Sequence, residues 1–277
     1  MPTNRQKAAA VAADTRARFS ELPQKTGTDP TSYFYPSSSS LPILPEESRF
    51  SLRSAVIQGD PLDIAVDWQI YSFQQPSSGI LVLNTANEKK PGGDWEGGLL
   101  GLGAEESLAR RSNLVQTLLA TDSVETGVTS YYPLPQMGGI YSPNCIVFRA
   151  GYEKEYALWH ERDWTLVSVV SVAAVRRPKT DESGMWYSFK EEKDLQREKM
   201  KTILRIAAQN GHVNLVLGGF GSSLAATSSP YKNPIKDVSK LWQELLFECE
   251  EFQGYFQNVV FAVGGTEAGN EFRRYFG

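Results

Sequence analysis

Four apolar runs, at 145–148, 164–174, 213–217 and 259–263, lack the polar residue at every second position that marks a strand with one wet face. Strands buried on both faces read this way. Helical patterns stand between them. One covers 194–209 and is closed by Gly211; another places Val238, Leu241, Trp242, Leu245, Cys249 and Phe252 on a single apolar stripe. A fifth apolar run, at 80–84, opens the main part of the sheet, after β-like pieces around 54–58 and 64–71. Alternation of this kind restricts the chain to an α/β architecture, a mixed and mostly parallel sheet between two layers of helices. Ahead of it, Ala8, Val11, Ala12, Thr15, Phe19 and Leu22 recur at helical spacing, which describes an amphipathic covering helix. The Pro/Ser-rich stretch 31–47 then reads as a surface connection. With 277 residues, 41% of them hydrophobic, the reading is one domain over 1–277, with 1–48 as a helix and connection packed on it.

Residues 81–111 carry the chemistry. Leu81, Val82 and Leu83 form a strand-like run, and Asn84 and Asn87 follow where the strand leaves the sheet. Ligands of open α/β sheets bind at that end of the strands. Gly92, Gly93, Gly97, Gly98, Gly101 and Gly103 let a backbone come close to a ligand. Glu105 and Glu106 come next and open a helix expected over 105–120. Acids suit a first helical turn on electrostatic grounds alone, so capping is their bland explanation. Adjacent helical residues point in different directions, so only one of the two can transfer the proton. A second loop, Gly218, Gly219, Phe220, Gly221, Ser222 and Ser223, follows another buried run and offers successive N–H groups and small hydroxyls suited to a diphosphate. The loops after 84, 149, 217 and 263 all follow strands and are expected to converge on one rim.

Other classes find little support. A formal net charge of -4 and a pI near 5.4, with basic residues scattered, argue against direct binding to nucleic acid. No run of eighteen apolar residues suggests a membrane span, and the apolar run at 8–13 is too short for a secretory signal. Cys145 and Cys249 make no disulfide framework or zinc motif, and read as buried and inert in an intracellular compartment, cytoplasm or nucleus. His160 and His212 have no partners at metal spacing. Neither a GxSxG elbow nor a GxxxxGK[ST] loop is present.

Pro91, Gly92 and Gly93, followed after a spacer by Glu105, Glu106, Ser107 and Leu108, resemble the signature of the microbial type of poly(ADP-ribose) glycohydrolase, a macrodomain-related family. That signature has three glycines, a spacer and Gln-Glu-Glu. Here Asp94 stands in place of the third glycine and Ala104 in place of the glutamine. The resemblance extends to 141–149, 166–174 and 217–223 and to the amino-terminal helix.

It implies a macrodomain-like α/β/α sandwich that hydrolyses ribose–ribose O-glycosidic bonds in poly(ADP-ribose) and releases ADP-ribose, as in reversal of ADP-ribosylation after DNA damage. On this alignment Glu106 is the catalytic acid, and Glu105 and Asn84 hold ribose hydroxyls. Gly92 and Gly93 form the first loop, Gly218 to Ser223 cradle the diphosphate, and Phe220 packs on the ribose beside the scissile bond. Such an acid must keep its proton near neutral pH, which burial beside a second carboxylate favours. No metal or organic cofactor is implied. The partner is the polymer or an ADP-ribosylated protein, met by a monomer. Trp95, Tyr141 and Phe276 are candidate neighbours of the adenine. Asp94 and Ala104 keep two alternatives open, a reader that binds ADP-ribose without cleaving it and a mono-ADP-ribose hydrolase.

Overall fold

A computed structural model describes residues 3–41, 50–71, 79–98, 103–121, 127–222 and 231–277. Seven strands form one sheet, in the order β1-β4-β5-β3-β6-β7-β2. They are β1 (Tyr33–Tyr35), β2 (Arg53–Ile57), β3 (Leu81–Thr85), β4 (Gly139–Val147), β5 (Thr165–Val172), β6 (Asn214–Leu217) and β7 (Asn258–Ala262). β5, β3, β6, β7 and β2 run parallel, while β4 is antiparallel to β5 and β1 antiparallel to β4. The expected mixed, mostly parallel sheet is therefore present, with β3 at its centre.

The helices are α1 (Asn4–Ala17), α2 (Leu22–Thr26), α3 (Pro61–Tyr71), α4 (Ala104–Arg111), α5 (Leu114–Leu119), α6 (Lys190–Gln209), α7 (Ile235–Gln243) and α8 (Thr266–Phe276). They fall on both faces. Leu81 and Leu83 of β3, Val170 and Val172 of β5, and Leu215 and Leu217 of β6 face one cluster with α6, α7 and α8. Val82, Val167, Val169 and Val216 face the other, with Leu62 and Ala65 of α3, Leu108 of α4 and Leu114 of α5. Successive strand residues point to opposite faces, so a strand covered on both must be apolar throughout. Among the described residues no helix is long and apolar enough to cross a membrane.

Three segments differ from expectation. The β-like piece at 64–71 lies in α3. Asp60 caps that helix, its Oδ1 accepting from the N–H groups of Leu62 (2.8 Å) and Asp63 (3.3 Å), and Pro61 suits the first helical position. Leu62, Ala65 and Val66 then share a buried face, a helical spacing that the short apolar run conceals.

The helix expected over 105–120 is two helices. β1 covers only Gly139 to Tyr141 of β4, and residues 111–113 take the edge beyond. Ser112 bridges Val147, Asn113 N–H donates to Ile146 O (3.1 Å), and Ile146 N–H donates to Asn113 Oδ1 (2.7 Å). Strand-edge groups need partners once buried. In the third case, α7 ends at Gln243 and continues as a wider π-type turn over Glu244–Glu248, with Phe252 reaching the core from a later turn.

α1 covers the sheet's accessory layer as anticipated. Ala8, Ala12 and Thr15 are buried, and Thr15 Oγ1 donates to Arg110 O at 2.8 Å. Arg149 departs from the reading. It follows β4, the strand running against its neighbours, so it leaves the sheet away from the loops after β3, β6 and β7. Its guanidinium binds Thr15 Oγ1 and Tyr156 O, each at 3.0 Å, and pairs with Asp14. Cys145 is buried, and that burial pushes its thiol up to about 12; Cys249 is half-buried rather than buried.

Arg111 is fully buried and meets Asp60 at 2.9 Å and also Asp63. Asp60→Ala removes both the α3 cap and half of that ion pair, and is predicted to cost about 2 kcal/mol of folding free energy. Urea denaturation of the two proteins measures it.

Candidate active site

The central strand supplies the floor. Asn84, near the carboxyl end of β3, is buried, and its Nδ2 donates to Ser171 Oγ of β5 (3.1 Å) and to Glu105 Oε1 (3.4 Å). Beyond the strand, Asn87 Oδ1 accepts from the N–H groups of Lys89 (2.9 Å) and Lys90 (3.2 Å). That side-chain turn holds the loop so that Asn87 N–H itself donates to Glu105 Oε2 at 2.7 Å. Gly92 N–H donates to Glu105 Oε1 at 3.2 Å.

Glu105 is thus the carboxyl under the glycine loop. Burial raises its pKa from 4.5 to about 8, against the lowering effect of the Asn87 N–H, and the charge of Glu106 adds to the rise.

Glu106 is half-buried, and its Oε1 accepts from Asp94 N–H at 3.1 Å. Gly93 and Gly103 flank it, both at positive φ (57° and 81°). A Cβ at Gly93 would lie 2.5 Å from Glu106 Oε1, and one at Gly103 would fall within the carboxylate itself. These two glycines make the room in which Glu106 sits. Residues 91–98 form a series of tight turns that α4 holds at residues 92, 94 and 95. Their N–H groups reach Glu105 and Glu106, while Arg110 Nε donates to Trp95 O at 2.8 Å.

Asp94 occupies the third-glycine position with its side chain on the exposed side of the turn. Its side chain is exposed and pairs with Lys90 at 3.5 Å, so only its backbone N–H faces Glu106. Ala104 is exposed at the start of α4.

β6 lies beside β3 and parallel to it, so the second loop leaves the sheet at the same end. Ser222 N–H donates to Gly219 O (2.9 Å), closing a tight turn, and Gly221 at φ 80° has no space for a side chain between Ala174, Asn233 and Tyr231. Gly218, Gly219 and Ser222 are half-buried; Ser223 lies outside the described residues, as does Gly101. Tyr231 ties the two loops together. Its hydroxyl donates to Ala86 O, just after β3, and it lies close enough to Glu105 and Glu106 for both charges to help burial raise its phenol. Nothing in the sequence singled out Tyr231 or Ser171, because each acts through a neighbour set by strand pairing.

Phe220 requires a correction. Its side chain is 1% exposed and meets Trp242 edge-on, with ring centroids 6.3 Å apart, in the core beneath the loop. It does not line the site. A positive φ of 37° turns the ring inward, so flanking glycines did not imply a surface position. Trp95, Tyr141 and Phe276 are likewise buried elsewhere. Trp95 packs with Ala12 and Val115, Tyr141 bonds His212 at 2.7 Å, and Phe276 sits on Phe261.

Residues 31–150 match the family described as Microbial-type PARG, catalytic domain. Over this region the chain is similar to the microbial-type poly(ADP-ribose) glycohydrolase family. Glu105, Glu106 and the glycine turn all lie within the matched part. The poly(ADP-ribose) glycohydrolase of Thermomonospora curvata, solved with the inhibitor ADP-HPD, has the same fold: TM-score 0.75 at 23% identity, covering 98% of this chain and 99% of that one. The enzyme of Deinococcus radiodurans in complex with ADP-ribose gives a TM-score of 0.64 at 22% identity, covering 92% and 97%. No curated protein matches the sequence. Outside the family region, α6, β6 and the second glycine loop share the fold of these glycohydrolases.

Two outcomes follow. Because the folded pKa of Glu105 is raised, its own contribution to stability is fully present below about pH 4.5 and is lost as pH climbs through about 8, where the buried group must ionise. In Glu105→Gln that dependence is gone, so the melting temperature of the variant should gain on wild type steadily between those two values; a constant offset would contradict it. Gly103→Ala should displace the Glu106 carboxylate and lower turnover about a hundredfold while the protein stays folded by circular dichroism.

Proposed function

We propose that this protein hydrolyses the ribose–ribose O-glycosidic bond of poly(ADP-ribose), attacking the terminal unit and releasing ADP-ribose. What carries the reading is a single arrangement. An acidic pair opening a helix is held by N–H groups of a glycine turn, beside a buried Asn84 and opposite a second glycine loop. The family match over the first loop supports it.

In this reading the two glutamates divide the work. Glu106 is half-buried and so reachable by substrate. It protonates the departing ribose oxygen while positive charge builds on an oxocarbenium-like sugar, then takes a proton from the water that attacks the sugar. Glu105 keeps the first loop in place and, with Asn84, presents acceptors to ribose hydroxyls. Gly92 and Gly93 bring the backbone close to the ligand, and the N–H groups of the Gly218–Gly221 turn, with the Ser222 hydroxyl, face the diphosphate. Phe220 supports that loop from below. The substrate is the polymer or an ADP-ribosylated protein, and the reading includes an intracellular location and action as a monomer in a single domain.

Asp94 bears on the alternative of a reader without catalysis. Its carboxylate is exposed and pairs with Lys90, so the departure from the glycine signature is compatible with both readings, and the two are separated by experiment. Glu106→Gln tests this directly. Polymer digestion should fall at least about a hundredfold, with the calorimetric affinity for ADP-ribose retained. Near-native digestion by the variant would remove Glu106 from the mechanism, and wild-type protein that takes up ADP-ribose without digesting polymer would make it a reader.

A further inference from the structure

Two buried polar atoms near Glu105 have no hydrogen-bond partner among the described residues, Asn84 Oδ1 and the Tyr132 hydroxyl. A buried group without a partner costs folding free energy, and native proteins keep few of them. The Tyr132 ring packs against the cluster that contains Ala86 and Leu108. Its segment is pinned to the first loop, where Leu134 N–H donates to Glu88 O at 2.8 Å. Burial, then the charges of Glu105 and Tyr231, hold the phenol well above its ordinary pKa. Tyr156 also buries an unpartnered hydroxyl, but its backbone oxygen binds Arg149 beyond β4, away from the glutamates.

We infer that Tyr132 is a further ligand-contacting residue, whose hydroxyl, with Asn84 and Glu105, recognises the hydroxyls of the sugar at the far end of an ADP-ribosyl ligand. The inference rests on the functional reading above. A ribose diol offers two groups that each donate and accept. Asn84 Oδ1 accepts only, Glu105 accepts when ionised, and a phenol does either. The three together match a diol, whereas two acceptors beside a single phenol donor make a poor phosphate site.

Calorimetric titration of wild type and Tyr132→Phe with ADP-ribose and with ADP tests it, since ADP lacks the distal ribose. The variant should bind ADP-ribose about fivefold or more weakly, bind ADP as wild type does, and melt at the same temperature or higher without ligand, because an unpaired hydroxyl has been removed. Equal weakening for both ligands, unchanged ADP-ribose affinity, or a clear drop in the ligand-free melting temperature would each overturn the inference while leaving the proposed activity standing. Wild-type protein that takes up no ADP-ribose would overturn the activity and this inference together.

Discussion

The carboxylate of Glu105 is the joint on which the site depends. It accepts from Asn87 N–H on one side and Gly92 N–H on the other, so a helix, the end of the central strand and the glycine turn are fixed to one buried group. A buried carboxyl is costly unless hydrogen-bonded, and here backbone donors meet that need. The same burial raises its pKa to about 8. The neighbouring carboxyl, Glu106, accepts from the Asp94 N–H and stands in a gap kept open by two glycines. One acid is therefore structural and partly neutral, and the next is available for chemistry, although the two are consecutive in the chain.

That division explains how Asp94 fits beside the site. Its backbone N–H reaches Glu106 while its side chain turns to Lys90. Gly93 and Gly103 tolerate no replacement, because a Cβ at either meets the Glu106 carboxylate. The constraint falls on backbone shape around one carboxyl, and only at those positions on residue identity.

Much of the architecture was legible in the order of residues. Apolar runs without polar alternation gave the buried strands β3, β5, β6 and β7, because covering a sheet on both faces leaves no wet position along them. The stripe on α7 and the small-residue face of α1 were equally plain. Where the reading failed, a local pattern had two solutions. The run at 64–71 fits a strand or a helix until Asp60 and Pro61 are recognised as a helix start. The break between α4 and α5 has no local signal, because it is imposed by the uncovered edge of β4.

In the site, the sequence by itself determined which residue types meet there: a glycine turn, two acids at the start of a helix, and an asparagine at the end of a strand. It determined these because the required conformations and charges are properties of the residues. Only the tertiary structure decided that Glu105 and not Glu106 is the buried carboxyl, that Phe220 turns into the core, and that Tyr231 links the two loops. Each of these depends on which segments lie across from one another, and strand pairing between β3 and β6, distant in the chain, sets that neighbourhood.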